Sequence, residues 1–370
     1  MTRAPGIDLL RACAIAAVML YHVSSHGIPM PALVEHGWMG VDLFFVLSGY
    51  LIGWQLLRAY AQGEQPQWRR FMVHRALRIL PAYYAVLALY VMLPSPEGGA
   101  LQPLWKYLTF TLNLAPDWRQ GAAYSHAWSL CVEEHFYLLF PLAAWLLARR
   151  LNARRAIMLA VALVAGGMLL RGWLWHTRVE PLLANDAGAA MHAFISMIYN
   201  PTYARLDGLL MGVSLAACRA FRPAWWNALL RHGRMLLAAG VVVLAACTQI
   251  ALDRAAGAIL MFPLVALGCA LLLAGAISPA TWIGRHPVPG ARPLAMLAFS
   301  LYLTHKQVYA WLDGLLPALG QDMPLAALAV YLAASLAAAA LLYFAVERPG
   351  LRLRSAVCYP QPSSIHRAPS

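Results

Sequence analysis

Charge is what this chain has least of. Only 12% of its 370 residues are Asp, Glu, Lys or Arg, about half the share a soluble domain carries. So little charge cannot cover a globule of this size with polar surface. A soluble enzyme is therefore excluded, and no nucleic-acid partner is expected despite a net charge of +13. Lysine is scarcer still: Lys106 and Lys306 are the only two among 28 basic residues, a bias expected of a GC-rich bacterial genome. Cysteines are few and unpatterned. Cys13, Cys131, Cys218, Cys247 and Cys269 fall in or beside apolar segments, Cys358 falls in the tail, and none forms a CxxC or metal-type spacing. They read as packing residues. Phosphate-binding loops, nucleophile elbows, HExxH and dinucleotide fingerprints are missing in any suitable context, so neither nucleotide-hydrolysing, serine-hydrolase nor zinc chemistry is expected, and no metal.

What is present is apolar: 61% of residues are hydrophobic, and stretches of bilayer-spanning length recur. The expected fold is all-α, a polytopic transmembrane helix bundle of about ten spans. They are placed near 7–25, 38–57, 79–94, 127–148, 156–175, 201–218, 235–252, 257–278, 294–316 and 324–346. With the N-terminus inside, the inner segments hold twenty Arg residues and the outer ones only Lys106, Arg119, Arg178 and Arg254. By the positive-inside rule both termini are then cytoplasmic. Arg11 interrupts the first apolar stretch, which is therefore expected to be a retained span and not a cleaved leader. The segment Leu104–Leu114 is too short to span and should lie at the interface or re-enter. Residues 1–353 form one integral-membrane domain in this reading. Residues 354–370 are a short polar cytoplasmic tail, expected to be disordered. No internal repeat is evident, and no extracytoplasmic soluble domain is expected.

Several polar residues inside these spans are too costly to be idle. Arg11 and His22 lie eleven residues apart in the first span, on nearly one helical face and roughly 16 Å apart along its axis. Asp42 lies near the outer start of the second span, and Glu133 and Glu134 lie part-way down the fourth. An imidazole and carboxylates at similar depth suit a hydroxyl-activating base, with Asp42 or a glutamate fixing its tautomer. The competing reading of His22 is an interhelix hydrogen bond. Adjacent glutamates point about 100° apart, so only one can face the pocket; the sequence leaves open which. Arg75 and Arg78, three apart, share a face at the cytoplasmic mouth and suit a polyphosphate clamp that Arg11 could complete. Without a ligand they would be ordinary topology anchors. Arg205 and Asp207 could pair with each other. His305 and Lys306 fall near the middle of the ninth span, and Glu347 and Arg348 read as an ion pair closing the tenth.

In order and over nearly the whole chain, these segments resemble acyltransferase family 3 of the membrane-bound O-acyltransferases. Arg11 and His22 match an Arg-x10-His pattern, GVDLFFVLSGYLI a second-span motif, and Arg75 and Arg78 an Arg-x-x-Arg motif. HAWSLCVEEHFYLLFP is similar to the family's WSLxxExxFY segment and carries Trp128, Ser129, Glu133, Glu134 and Tyr137. RLDGLLMG, FSLYLTH and FAVERP resemble later landmarks. Two departures are His135, where glutamine often follows the paired glutamates, and THK in the ninth span, where a WH-type pair is common. Lys306 is set aside on that account.

The resemblance implies transfer of an acyl group, usually acetyl, from cytoplasmic acyl-CoA (acetyl-CoA) to a hydroxyl of a surface or exported carbohydrate. The membrane would be the bacterial inner membrane. His22 would act as general base or transient acyl carrier, with Glu133, Glu134 and Asp42 in support. Arg11, Arg75 and Arg78 would bind the donor, and Trp128, Ser129 and Tyr137 the carbohydrate or glycolipid acceptor. Transfer would be direct or through a partner in glycan assembly or export. A multi-pass transporter or glycolipid flippase is the competing class, since it too uses buried charge around a cavity; a structural subunit is the third.

Overall fold

The architecture comes from a computed structural model that describes residues 4–26, 28–94, 99–117, 123–150, 153–316 and 323–358. These residues are helical with no strand among them. The principal helices are α1 (Pro5–Ser24), α2 (Met39–Ala61), α3 (Trp68–Met92), α4 (Leu104–Leu108), α5 (Ala127–Arg150), α6 (Ala153–Leu174), α7 (Glu180–Leu183) and α8 (Ala187–Phe194). They continue as α9 (Asp207–Phe221), α10 (Pro223–Arg231), α11 (Gly233–Cys247), α12 (Ala255–Ala276), α13 (Trp282–Arg285), α14 (Ala291–Leu315), α15 (Pro324–Leu342) and α16 (Arg348–Cys358). Each of the ten expected spans thus receives a helix. Six helical stretches are long and apolar enough to cross a membrane, or seven if α10 and α11, bent by 76° at His232, count as one. Helices α5 and α14 have the length, 24 and 25 residues, but carry the polar groups of the site.

The expected boundaries move where local chemistry overrides hydropathy. α3 begins at Trp68 and not near 79, because its Arg-rich first turns are helical although too polar for a span. Between α9 and α10, Arg222 takes φ −137° and ψ 61° before Pro223, which opens the next helix. Segment 104–114 does not cross: α4 is five residues long, after which Lys106 donates to the Ala115 carbonyl at 2.6 Å. At the C-terminal end α16 carries the chain in helix to Cys358, five residues into the expected tail; residues 359–370 lie outside the described part.

The helices pack with a consistent sense. α1 and α14 run parallel, since His22 meets His305 and His26 meets Asp313. α5 runs against them, since His126 meets His305 while Ser129 meets Tyr302. α2 lies on α9 with the two backbones in close approach. A Cβ on Gly49 would sit 2.2 Å from the Leu209 carbonyl oxygen, and one on Gly212 would sit 2.2 Å from that of Val46. With Gly208 this gives a small-xxx-small surface of the kind that joins membrane helices by van der Waals contact. Three π turns, Trp175–Val179, Ile195–Tyr199 and Tyr343–Glu347, interrupt the regular helices. Such turns recur at functional sites because they displace side chains from the regular register.

Because Gly212 faces backbone on both sides, Gly212→Val should lower the thermal unfolding midpoint in detergent by several degrees; overpacking a tight contact costs about 1–3 kcal/mol or more. Gly166→Ala on α6, which meets nothing within 4 Å, should leave the midpoint unchanged or raised. Equal effects at the two positions would contradict this packing.

Candidate active site

The site is built at two levels of the bundle. The first centres on His22 near the end of α1. Its Nδ1 lies 3.0 Å from the Val18 carbonyl and 3.1 Å from His305 Nε2. His305 Nδ1 lies 2.9 Å from the Leu301 carbonyl, so it must donate there, which leaves Nε2 as a bare acceptor in the neutral ring. His22 Nδ1 therefore faces two acceptors and must carry the proton. Its Nε2 is then the basic nitrogen. In this chain a histidine holds the tautomer that a carboxylate was expected to hold.

A third imidazole closes the cluster. The His126 ring lies 5.1 Å from that of His305, and its Nε2 donates to the Leu303 carbonyl at 3.2 Å. Its buried Nδ1 has no hydrogen-bond partner. The turn that delivers Ser125 and His126 is strained: Tyr124 has φ 53°, in the left-handed region that bulky residues avoid. It is held by rings at 4.7 Å (Tyr90), 5.5 Å (Tyr83) and 5.9 Å (Tyr107). Lys306 completes the level, donating to Ser125 Oγ at 2.6 Å. Beside the cluster opens a cavity of about 680 Å³, walled by Tyr21, Trp38, Trp128, Trp175, Phe194 and Tyr199 and reached by Ser125, His126 and Lys306. Two of the π turns contribute to that wall, through Trp175 and Tyr199.

The second level lies deeper. Glu133 is seven residues past His126, roughly 10 Å along a helix. The expectation that the glutamates share the depth of His22 is thus overturned, because α5 is fully helical from Ala127 and carries them away from the imidazoles. Glu133 accepts from Ser48 Oγ at 2.9 Å and from the Tyr137 hydroxyl at 2.6 Å. The Arg75 guanidinium sits 5.1 Å from the Tyr137 ring centre, and the charges of Arg75 and Arg78 act on Glu133. Glu134 has an unsatisfied buried oxygen, Oε1. Arg78 and Arg11 both act on Glu347, which accepts from Ser300 Oγ at 2.7 Å and is not held as a pair by Arg348. Arg75 thus lies beside Tyr137, the partner of Glu133, with Arg78 one turn further along α3, and Arg11 lies in the first half of α1, eleven residues before His22.

Asp42 is not placed to orient His22, the role expected of it. Arg205 Nη2 donates to both of its oxygens at 2.9 Å, deep in the bundle, while His22 Nδ1 is met by Val18 and His305 instead. Arg205 is boxed by Phe262 at 4.2 Å, Tyr199 at 4.7 Å and Trp128 at 5.1 Å. Nor does Arg205 pair with its neighbour Asp207. That carboxylate binds the fully buried Arg171 of α6 at 2.8 and 3.2 Å. The three expected acceptor contacts separate as well. Trp128 lines the cavity, Ser129 bonds the Tyr302 hydroxyl at 2.6 Å, and Tyr137 is held at Glu133.

Comparison with known proteins adds an independent line. A family profile described as an acyltransferase domain matches residues 5–344. The O-acetyltransferase OatA of Staphylococcus aureus (strain NCTC 8325 / PS 47) is 29% identical over 228 residues, 57% of this chain and 34% of that protein. The peptidoglycan O-acetyltransferase OatA of Listeria monocytogenes is 30% identical over 226 residues, 57% of this chain and 33% of that protein. The aligned part thus spans about a third of the length of these relatives. No solved structure matches.

The assignment of Asp42 to an ion pair has a direct check. Asp42→Ala should destabilise the protein by about 3–5 kcal/mol, because it strands the Arg205 charge in the bundle. Asp42→Ala combined with Arg205→Leu should recover most of that loss in thermal unfolding. Additive losses in the double variant would contradict the pairing.

Proposed function

The chain belongs to acyltransferase family 3, and on that premise we propose that it transfers an acyl group, acetyl by preference, from acyl-coenzyme A to a hydroxyl of a carbohydrate. The observation that carries this reading is the separation of two complementary sites in one bundle. Arg75 and Arg78 lie a turn apart on α3 next to Tyr137 and Glu133, and Arg11 lies in the first half of α1. A neutral imidazole with an unengaged Nε2 sits roughly 16 Å away along α1, beside an aromatic-walled cavity. Guanidiniums grip phosphates through paired N–H donors, and so suit the nucleotide end of the donor. Aromatic walls suit the C–H faces of a sugar, with polar groups fixing its orientation.

In the reaction, His22 Nε2 removes the proton of the acceptor hydroxyl while its oxygen forms a bond to the acyl carbon. The C–S bond then breaks, and the leaving thiolate takes the proton from His22. His305 holds the His22 ring in the reactive tautomer throughout. Glu133 and Glu134 belong to the donor end, where they neutralise and space the arginines.

The protein is a multi-pass membrane protein. We place it in the bacterial inner membrane with Arg75 and Arg78 toward the cytoplasm, where coenzyme A is available. The Listeria relative is named for peptidoglycan, and a cell-envelope or exported glycan, alone or within an assembly complex, is the acceptor class this reading favours.

The test follows label from radioactive acetyl-coenzyme A in purified protein. His22→Ala should lower turnover about 10²–10⁴-fold, the usual worth of a general base, while donor binding is retained. Arg75→Ala/Arg78→Ala should lose donor binding. Wild-type protein that neither binds nor turns over the donor, yet moves a glycolipid between leaflets, would overturn the enzyme reading in favour of a flippase.

A further inference from the structure

One charged group in the site has no part in that proton transfer. Lys306 lies in the middle of α14, half-buried at the wall of the cavity. Its Nζ donates to Ser125 Oγ, and among the described residues no carboxylate lies within 4.0 Å of it. A hydroxyl satisfies one of the three ammonium donors and does not balance the charge. An unbalanced cation is expensive at such a position and is a functional group by default. Every other membrane-embedded ion pair just described is closed: Arg205 on Asp42, Arg171 on Asp207.

Its placement narrows the function. Lys306 follows His305, the residue bonded to His22, and its charge acts on His22, His126 and His305 alike. With Ser125 and His126 it lines the cavity. The one carboxylate among the described lining residues, Asp253, is an exposed residue between α11 and α12. The cation therefore enters the cavity beside Ser125 and His126, one residue on from the histidine that bonds His22.

We propose that Lys306 holds the oxyanion of the acyl transfer, with Ser125 fixing its ammonium in place; this rests on the reading of His22 as the base. As the acceptor oxygen bonds to the acyl carbon, its proton passes to His22 and the carbonyl electron pair moves onto oxygen. The ammonium donates to that negative oxygen. When the pair returns, the C–S bond breaks and the thiolate takes the proton back from His22. Preorganised donors of this kind act in the transition state more than in the ground state.

The test uses the full chain with acetyl-coenzyme A and water as the acceptor, so that no acidic sugar is present, and reads thiol release. Lys306→Met should lower kcat about 10²–10³-fold, with KM for acetyl-coenzyme A changed less than about two-fold. Lys306→Arg should recover part of the rate, and a monodisperse, equally heat-stable Lys306→Met protein excludes misfolding. Unchanged hydrolysis in Lys306→Met, with a loss only in KM for an acidic sugar acceptor, would overturn the proposal and make Lys306 a reader of acceptor charge. His22→Ala run alongside separates the two claims. If it is inactive while Lys306→Met is not, only the oxyanion assignment fails. If His22→Ala turns over normally, or wild type releases no thiol, the base reading fails and this one with it.

Discussion

An apolar bundle cannot hold a charge that is neither paired nor used. That constraint sorts the buried ionisable side chains described above. Arg205 and Asp42 close on each other inside a box of aromatic rings, and Arg171 closes on Asp207. Both pairs bring together helices distant in sequence. α2 is fastened to the stretch before α9, and α6 to the start of α9, in the region where Gly49 and Gly212 bring backbones into contact. Breaking one member leaves a buried charge, so such pairs specify an arrangement of helices more than they add stability. Lys306 at one level of the site, and Arg75 and Arg78 at the other, are not closed in this way.

Those two levels differ in chemistry because their neighbours differ. At one, three arginines share the bundle with Glu133 and Glu347, and hydroxyls of Ser48, Tyr137 and Ser300 hold the carboxylates. At the other, three imidazoles bond to backbone carbonyls or to one another, which fixes their tautomers without adding negative charge. A base supported by a neutral ring keeps its proton less firmly than one supported by a carboxylate. It can therefore return that proton to a leaving thiolate.

Much of this was legible in the sequence. The scarcity of charge and the recurrence of apolar stretches gave the helical bundle, and the spacing of Arg11 and His22 gave two separated ends of one face. Arg75 and Arg78 do share one helix, as their spacing requires. What failed was partner assignment. Asp42 and Arg205 are 163 residues apart in sequence, and nothing local distinguishes their pairing from the pairing of Arg205 with Asp207 two positions away. The adjacency of His22 and His305, 283 positions apart, is equally invisible to local spacing. His126 lay unread inside the quoted WSL segment, and Lys306 was set aside as a departure from a family pattern. A signal existed for the lysine: a cation in the middle of a span with no acid three or four residues away on its own helix.

The central claim is that donor and base act from opposite ends of the bundle. It is tested most directly in sealed liposomes with the protein in one orientation, offering acetyl-coenzyme A on a single face and measuring thiol release. The account predicts turnover when the donor is on the face bearing Arg75 and Arg78, and none when it is confined to the face nearer His22. Turnover at least as fast from the His22 face would contradict it.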